Sequence, residues 1–247
     1  MKSRKDLKPE EQLIVAADFN GRQEQVWEKV IELADRLRDT GVYLKVNSAL
    51  RACGYDLIEE IHNRGLRVFA DLKLNDIPKT LSIDGMLLHE FKPELLTVMC
   101  SSGLKSMKAL KAELPETEIL GVTVLTSLTS DDIGQMFSYG TYTPIISQVV
   151  ARFSDLATEA RIDGLVASPA EAKILRAQID PEMTINTPAV RPEWAIVKGD
   201  DQNPERSMTP KMAIQAGADR VIIGRPITQA NDPYAAVMRT LEEIAET

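Results

Sequence analysis

The chain has 247 residues, of which 44% are hydrophobic and 27% charged, and its formal net charge at pH 7 is −8. These values are typical of a soluble globular protein with a sizeable core and exclude disordered or collagen-like sequence, while the negative charge argues against a general nucleic-acid or anionic-membrane surface. No window approaches the roughly 20 apolar residues of a membrane span and the first residues lack the apolar stretch of a signal peptide, so a cytoplasmic location is expected.

Short apolar runs alternate with longer amphipathic stretches along the whole chain, which is the pattern of repeated βα units. Strands are predicted at Leu13–Ala17, Val42–Val46, Arg67–Leu72, Leu95–Met99, Ile119–Leu125, Gly164–Ala167, Thr184–Asn186 and Arg220–Ile223. Helices are predicted at Glu24–Arg38, Leu50–Arg64, Thr80–Phe91, Leu104–Glu113, Ile145–Ala160, Ala170–Ala177, Pro210–Ala216 and Pro233–Glu246. Eight alternations without a linker favour one α/β domain over residues 1–247, a closed (β/α)8 TIM barrel rather than an open doubly wound sheet.

Polar residues at the carboxyl ends of the predicted strands are the candidates for a site, because active sites of such barrels lie at that rim. They are Asp18, Lys45, Asp71, Lys73, Ser127 and Arg225. Any one of them could be a polar side chain leaving a strand for solvent. Their convergence on one rim indicates a functional site.

The segment after the third predicted strand is especially dense in charge. Side chains of a strand alternate between its two faces, so Asp71 and Lys73 are expected on the same side, with Asp76 arriving from the following turn. Pro78 suits the first turn of a helix, where its missing N–H costs nothing. The alternative interpretation is a solvated strand-to-helix turn with an incidental ion pair.

Two later loops suit an anionic ligand. After the eighth predicted strand, Gly224 lets backbone amides approach a ligand, and Arg225 offers a planar guanidinium for bidentate contacts. The seventh strand is followed by residues 187–192 (TPAVRP) and by a long polar segment at 199–206, which fits a lid with Gln202 as a neutral donor. The plainer interpretation of both is a surface turn.

Residue types for a metal site or a histidine-based catalyst are scarce. Cys53 and Cys100 show no metal-type Cys-x-x-Cys spacing and are predicted to be free thiols. His62 and His89 are the only histidines and are predicted to lie on the surface, which leaves almost no material for a zinc site or a Ser-His-Asp triad. No metal and no cofactor are expected.

The segment at residues 71–80 (DLKLNDIPKT) resembles the signature of the orotidine 5′-monophosphate decarboxylase family, with every fixed position filled. The family's Thr-Pro-Gly-Ile-Arg-Pro, Gly-Asp-Gln and Gly-Arg-Pro-Ile motifs have counterparts here, in the same order, at 187–192, 199–202 and 224–227. The likeness extends from residues 16–18 to 232–233. It implies conversion of orotidine 5′-monophosphate to uridine 5′-monophosphate and CO2, the last step of pyrimidine nucleotide synthesis.

The resemblance also implies roles for particular residues. The catalytic set would be Lys45, Asp71, Lys73 and Asp76, with Lys73 stabilising and protonating the carbanion left at C6. Asp18 and Thr80 would contact ribose hydroxyls, Ser127 the pyrimidine ring, and Gln202 and Arg225 the phosphate, while Pro188, Arg191 and Gly224 belong to the same substrate-binding motifs. The family likeness further implies a homodimer in which Asp76 and Thr80 reach the neighbouring subunit's site.

The chain departs from the family pattern at three places. Asn47 stands where Lys-x-Gly is common, residues 99–103 (MCSSG) replace a His-Ala-Ser-Gly-Gly-like turn, and Ala189 replaces a glycine. These changes affect backbone freedom and the surroundings of the site, and none removes a charged catalytic position.

Two alternative functions stay open from the sequence. One is a related sugar-phosphate barrel, such as 3-keto-gulonate 6-phosphate decarboxylase or hexulose-phosphate synthase, which shares Asp-x-Lys-x-x-Asp but uses magnesium. Those enzymes resemble one another in a metal-binding glutamate at the end of the second strand, where this chain has Lys45, a residue that repels cations. The other is a non-catalytic barrel that binds phosphorylated ligands.

Overall fold

The chain forms a closed barrel of eight parallel strands, which confirms the predicted (β/α)8 architecture. The computed structural model describes residues 4–138, 142–195 and 208–246. The strands are β1 (Leu13–Ala16), β2 (Tyr43–Val46), β3 (Arg67–Leu74), β4 (Leu95–Met99), β5 (Glu118–Val122), β6 (Gly164–Val166), β7 (Thr184–Thr187) and β8 (Arg220–Ile223). Each strand pairs with the next in chain order, and β8 pairs with β1, so the sheet has no open edge.

Helices pack around the outside of this barrel. They are α1 (Pro9–Gln12), α2 (Gln23–Arg36), α3 (Ser48–Cys53), α4 (Asp56–His62), α5 (Pro78–His89), α6 (Leu104–Glu113), α7 (Ser130–Phe137), α8 (Ile146–Ala160), α9 (Pro169–Gln178), α10 (Pro210–Gln215), α11 (Arg225–Thr228) and α12 (Pro233–Ala245). In the part of the chain that the structure describes, no helix is long and apolar enough to span a membrane.

The single helix predicted over Leu50–Arg64 is wrong, because the chain forms two helices there. α3 ends at Cys53, and Gly54 adopts a φ of +84° while its N–H donates to the Leu50 carbonyl at 2.9 Å. Glycine takes this left-handed conformation without the penalty of a Cβ and so stops the helix. The apolar periodicity continues across the break, and periodicity alone therefore concealed it.

Three helices are absent from the prediction, of which α1 is a single turn at Pro9–Gln12 before β1. α7 begins after Thr129, whose side-chain oxygen accepts the N–H of Asp132 at 3.2 Å and caps the helix. α11 is a single turn in the segment predicted as a loop after β8. The fifth strand also ends at Val122, three residues earlier than expected, and the chain turns toward α7 from there.

Apolar side chains pack in two layers, one between the strands and the helices and one inside the barrel. The interior residues are Ile14, Ala16, Tyr43, Phe69, Leu95, Leu120 and Ile222. Toward the amino ends of the strands, buried Arg220 pairs with Glu118 at 2.8 Å and its guanidinium lies 5.3 Å from the Tyr43 ring centroid. These groups fill that end of the barrel, while the predicted site residues lie toward the opposite rim.

Candidate active site

A cavity of about 390 Å³ opens at the carboxyl ends of the strands. Its apolar lining comes from inward-facing strand residues that include Phe69, Val122, Val166 and Ile222. Eight of the predicted site residues line it: Asp18, Lys45, Asp71, Lys73, Pro188, Arg191, Gly224 and Arg225. A small number of polar groups above an apolar floor is typical of a ligand pocket.

Four of these side chains form a row of alternating charge. Lys45 Nζ donates to both carboxylate oxygens of Asp18 at 3.0 Å and lies 3.3 Å from Oδ2 of Asp71. Lys73 Nζ donates to the same Asp71 oxygen at 2.6 Å. The two carboxylates and two ammonium groups balance in charge, and the hydrogen bond to Asp71 holds the Lys73 side chain in place.

Burial differs along the row. The side chains of Lys45 and Asp71 are each 8% exposed, whereas that of Lys73 is 30% exposed and that of Asp18 is 58% exposed. An attraction between buried charges is screened less than one at the surface. The inner pair therefore anchors the row, and Lys73 presents its ammonium to the cavity.

Thr97 on β4 completes the surroundings of Asp71 and was not predicted from the sequence. Its hydroxyl donates to Oδ1 of Asp71 at 2.9 Å, so the carboxylate oxygen that does not meet the ammonium groups is also bonded. Thr97 is fully buried. Side chains alternate along β4, so Thr97 lies on the inner face together with Leu95. Thr97 is the one polar residue in the run Leu-Leu-Thr-Val-Met, and this is the sequence signal that could have identified it as part of the site.

Asp76 and Thr80 do not line the cavity of their own chain. Asp76 is exposed, its Oδ1 accepts the N–H of Ile77 at 2.7 Å, and it makes no ion pair with any residue that the structure describes. Partial burial, and then the charge of Asp76, raise the pKa of Asp84 on α5. Within one chain Asp76 therefore does not join the row formed by Asp71 and Lys73, and its contact with a neighbouring subunit's site stays a prediction.

Ser127 and Gln202 are the remaining predicted site residues. Ser127 is exposed and does not line the cavity, whereas its neighbour Thr126 does. Gln202 lies outside the described residues, as does the whole of the segment 199–206 that is predicted to be a lid. The cavity wall after β7 is supplied in the described residues by Pro188, Ala189 and Arg191.

Ala189 adopts a φ of +65° at this wall. For a residue with a Cβ the left-handed region costs about 1–2 kcal/mol, and glycine is the residue that adopts it freely. Ala189 therefore replaces the glycine of the family motif at a position where the backbone conformation favours glycine. Alanine keeps the turn but strains it.

Neither a metal nor a thiol is indicated at the rim by the described residues. No group of three or more His, Cys, Asp or Glu side chains in them is arranged to hold a metal ion. Lys45 already lies within 3.3 Å of the Asp18 and Asp71 oxygens that a cation would need.

Both cysteines are free, as predicted, and burial raises the pKa of Cys100 to about 12, so that thiol is not a nucleophile near neutral pH.

A family model, curated relatives and a solved structure all relate this chain to orotidine 5′-phosphate decarboxylases. Residues 11–240 match the model of the orotidine 5′-phosphate decarboxylase / HUMPS family. The chain is 36% identical over 242 residues to orotidine 5′-phosphate decarboxylase of Saccharophagus degradans, covering 96% of this chain and 94% of that protein. It is 38% identical over 240 residues to the Pseudomonas savastanoi pv. phaseolicola enzyme of the same name, covering 94% and 97%.

A solved structure shows the same fold. The crystal structure of orotidine 5′-phosphate decarboxylase from Lactobacillus acidophilus superposes with a TM-score of 0.78 at 28% identity, covering 95% of this chain and 99% of that one. The fold is thus shared with a protein of that name over nearly the whole of both chains.

Proposed function

The chain belongs to the orotidine 5′-phosphate decarboxylase / HUMPS family, and on that premise we propose that it decarboxylates orotidine 5′-monophosphate to uridine 5′-monophosphate. The observation that carries the proposal is the charge row Asp18, Lys45, Asp71, Lys73, which ends with an ammonium group at the cavity. The reaction would serve pyrimidine nucleotide synthesis, and the cytoplasmic location stays a prediction.

Lys73 is the proposed acid. When the bond between C6 and the carboxylate breaks, the electron pair stays on C6 in the plane of the ring, where π delocalisation cannot spread it. CO2 leaves, and C6 takes a proton from Nζ of Lys73. The adjacent ammonium stabilises the developing negative charge before it delivers that proton.

Repulsion between Asp71 and the substrate carboxylate is too small to drive the reaction alone. Two like charges at 4 Å are worth about 4 kcal/mol at an effective dielectric constant near 20, whereas enzymatic rate gains need roughly 8–23 kcal/mol. Two ammonium groups already face Asp71 Oδ2, at 2.6 and 3.3 Å, and this reduces the repulsion further. Most of the stabilisation is therefore assigned to the preorganised Lys73 and to binding energy from the phosphate and ribose.

The phosphate is assigned to the rim formed after β7 and β8. Arg191 and Arg225 both line the cavity there, together with Gly224. A guanidinium binds phosphate oxygens through two parallel hydrogen bonds and keeps its charge at all accessible pH values. Gln202 is retained as a further phosphate ligand on family likeness alone.

Lys45 argues against the magnesium-dependent members of the family. Magnesium requires oxygen ligands in near-octahedral geometry, and an ammonium group among the same carboxylates both repels the ion and occupies its ligands. Lys45 is within 3.0 Å of Asp18 and 3.3 Å of Asp71. The nucleotide reaction fits these residues better than the sugar-phosphate reactions.

A homodimer with shared sites is part of the proposal. Ile77, Ile83, Met86 and Leu87, in and just before α5, are 45–64% exposed. Large exposed apolar side chains that occur close together are typical of a subunit interface. Asp76 and Thr80 lie in the same segment and outside their own cavity, so a second copy covering this face would receive them.

The test is turnover by the purified chain. Loss of orotidine 5′-monophosphate absorbance is expected without added metal, at a rate that a chelator leaves unchanged. Activity that depends on added magnesium, or turnover of 3-keto-gulonate 6-phosphate instead, would assign the chain to the sugar-phosphate branch. Binding of the nucleotide without any turnover would indicate a non-catalytic barrel.

A further inference from the structure

Regular pairing between β3 and β4 is interrupted at the charge row. Ala70 pairs with Leu96 and Leu74 pairs with Val98, so residues 71–73 stand opposite one residue, Thr97. Within this bulge Lys73 has a φ of +48°. A residue with a Cβ does not favour that conformation, and surrounding contacts must therefore hold it.

The peptide group between Leu72 and Lys73 is held at both of its polar atoms by side chains. The Leu72 carbonyl accepts from Nη2 of Arg51 at 2.7 Å, and the Lys73 N–H donates to Oγ1 of Thr97 at 2.9 Å. In a regular parallel strand such groups would bond to the backbones of neighbouring strands. Two side chains from different elements replace those bonds here.

Both side chains are themselves oriented. Nη1 of Arg51 donates to Oδ1 of Asn47 at 2.5 Å, which ties the guanidinium to the end of β2. The Thr97 hydroxyl has one proton, and it is donated to Oδ1 of Asp71 at 2.9 Å. One buried oxygen thus joins the backbone of Lys73 to the side chain of Asp71.

We infer that Thr97 and Arg51 are positioning residues that hold the Leu72–Lys73 peptide so that the Lys73 ammonium points into the cavity. This inference rests on the proposed function, in which Lys73 is the acid. Neither residue lines the cavity. Their loss should therefore lower kcat and leave substrate binding nearly unchanged.

The decisive variant is Thr97→Val, which removes the hydroxyl with almost no change of shape. We expect kcat to fall about 10- to 100-fold, while KM and the Kd for uridine 5′-monophosphate change less than about threefold. Thr97→Ser restores the hydroxyl and should recover kcat to within about fivefold of the parent chain. Thr240→Val is the matched control, because Thr240 is equally buried, lies on α12 away from the cavity, and donates its hydroxyl to the Ala236 carbonyl of the same helix.

Arg51→Met tests the other end of the peptide, since it keeps much of the length and removes the donors. A fall of kcat of about 10-fold with unchanged KM is expected. Arg36→Met is its control, because Arg36 is an exposed arginine whose guanidinium pairs with Glu32 on the same helix. Parent-like kcat in both Thr97→Val and Arg51→Met would overturn the inference, and so would equal losses in Thr97→Val and Thr97→Ser.

Amide hydrogen exchange separates this inference from the proposed function. The Lys73 amide on β3 should exchange at least about 10-fold faster in Thr97→Val than in the parent chain, while the amides of β4 other than that of residue 97 keep their rates. An unchanged Lys73 amide would refute the positioning role whatever the turnover. If the parent chain has no turnover and the Lys73 amide still exchanges faster in Thr97→Val, only the proposed reaction is refuted.

Discussion

Nζ of Lys73 lies 2.6 Å from Oδ2 of Asp71, the same oxygen that Lys45 approaches to 3.3 Å. One carboxylate oxygen thus faces two ammonium groups, of which Lys73 is the more exposed.

Replacing Lys73 should abolish turnover and spare binding. Lys73→Ala removes both the charge at C6 and the proton, so kcat should fall at least about 10³-fold. The proposed phosphate and ribose contacts involve other residues, so the Kd for uridine 5′-monophosphate, measured by calorimetry, should change less than about threefold. Lys108→Ala, at an exposed position of α6, is the control. Substantial turnover by Lys73→Ala would rule out Lys73 as the acid.

Mixed dimers should recover activity if Asp76 serves the partner's site. Lys73→Ala and Asp76→Asn chains are each expected to be inactive alone. After random exchange of equal amounts, roughly a quarter of all sites carry neither change, because one site of each heterodimer is intact. Turnover after co-refolding decides the point. If heterodimers form and activity does not exceed the sum of the two variants, Asp76 acts within its own chain.

Arg225→Ala should weaken binding in a phosphate-dependent way. Loss of a charge-assisted guanidinium contact is expected to raise KM for orotidine 5′-monophosphate about 10- to 100-fold. Orotidine, which lacks the phosphate, should be affected less than about threefold in kcat/KM. Equal losses on both substrates would show that Arg225 has a structural role only.

Ala189→Gly should stabilise the chain. The φ of +65° favours glycine, and the gain exceeds the added entropy of the unfolded chain, so the free energy of unfolding should rise about 0.5–1 kcal/mol. Denaturant unfolding measures the change. Ala109→Gly, within α6, should have the opposite sign and lower stability by about 1 kcal/mol.

Asp163 should make stability fall as the pH rises. Burial raises its pKa, which hydrogen bonds from Lys111 and the Ile119 N–H lower only in part. A carboxyl group that binds its proton more tightly in the folded chain stabilises the fold below the unfolded pKa of about 3.9. This contribution is lost as the pH rises through the folded pKa.

Denaturant unfolding across this range measures the effect. The free energy of unfolding of the parent chain minus that of Asp163→Asn should therefore decrease from pH 3 toward neutral pH. The corresponding difference for Asp132→Asn should increase with pH, because hydrogen bonds from Thr129 lower the pKa of Asp132. A difference for Asp163→Asn that is constant with pH would contradict the raised pKa.

The sequence by itself determined the barrel and the identity of its charged rim. Each strand carries its own run of apolar side chains and each helix its own periodicity, so local patterns predict these elements and their alternation. Asp18, Lys45, Asp71 and Lys73 lie at or just beyond the carboxyl ends of strands that share one rim, and all four line the cavity. The break at Gly54 was missed because apolar periodicity runs through it, although the glycine itself was visible.

Only the tertiary structure decided how these charges meet and what supports them. The contacts of Lys45 with Asp18 and of Thr97 with Asp71 join residues 27 and 26 positions apart. Such contacts depend on the register of neighbouring strands, and packing of the whole barrel sets that register. The bulge opposite Thr97 and the positive φ of Lys73 follow from the same packing. No local pattern of residues encodes them, because their cause is hydrogen bonding between separate elements.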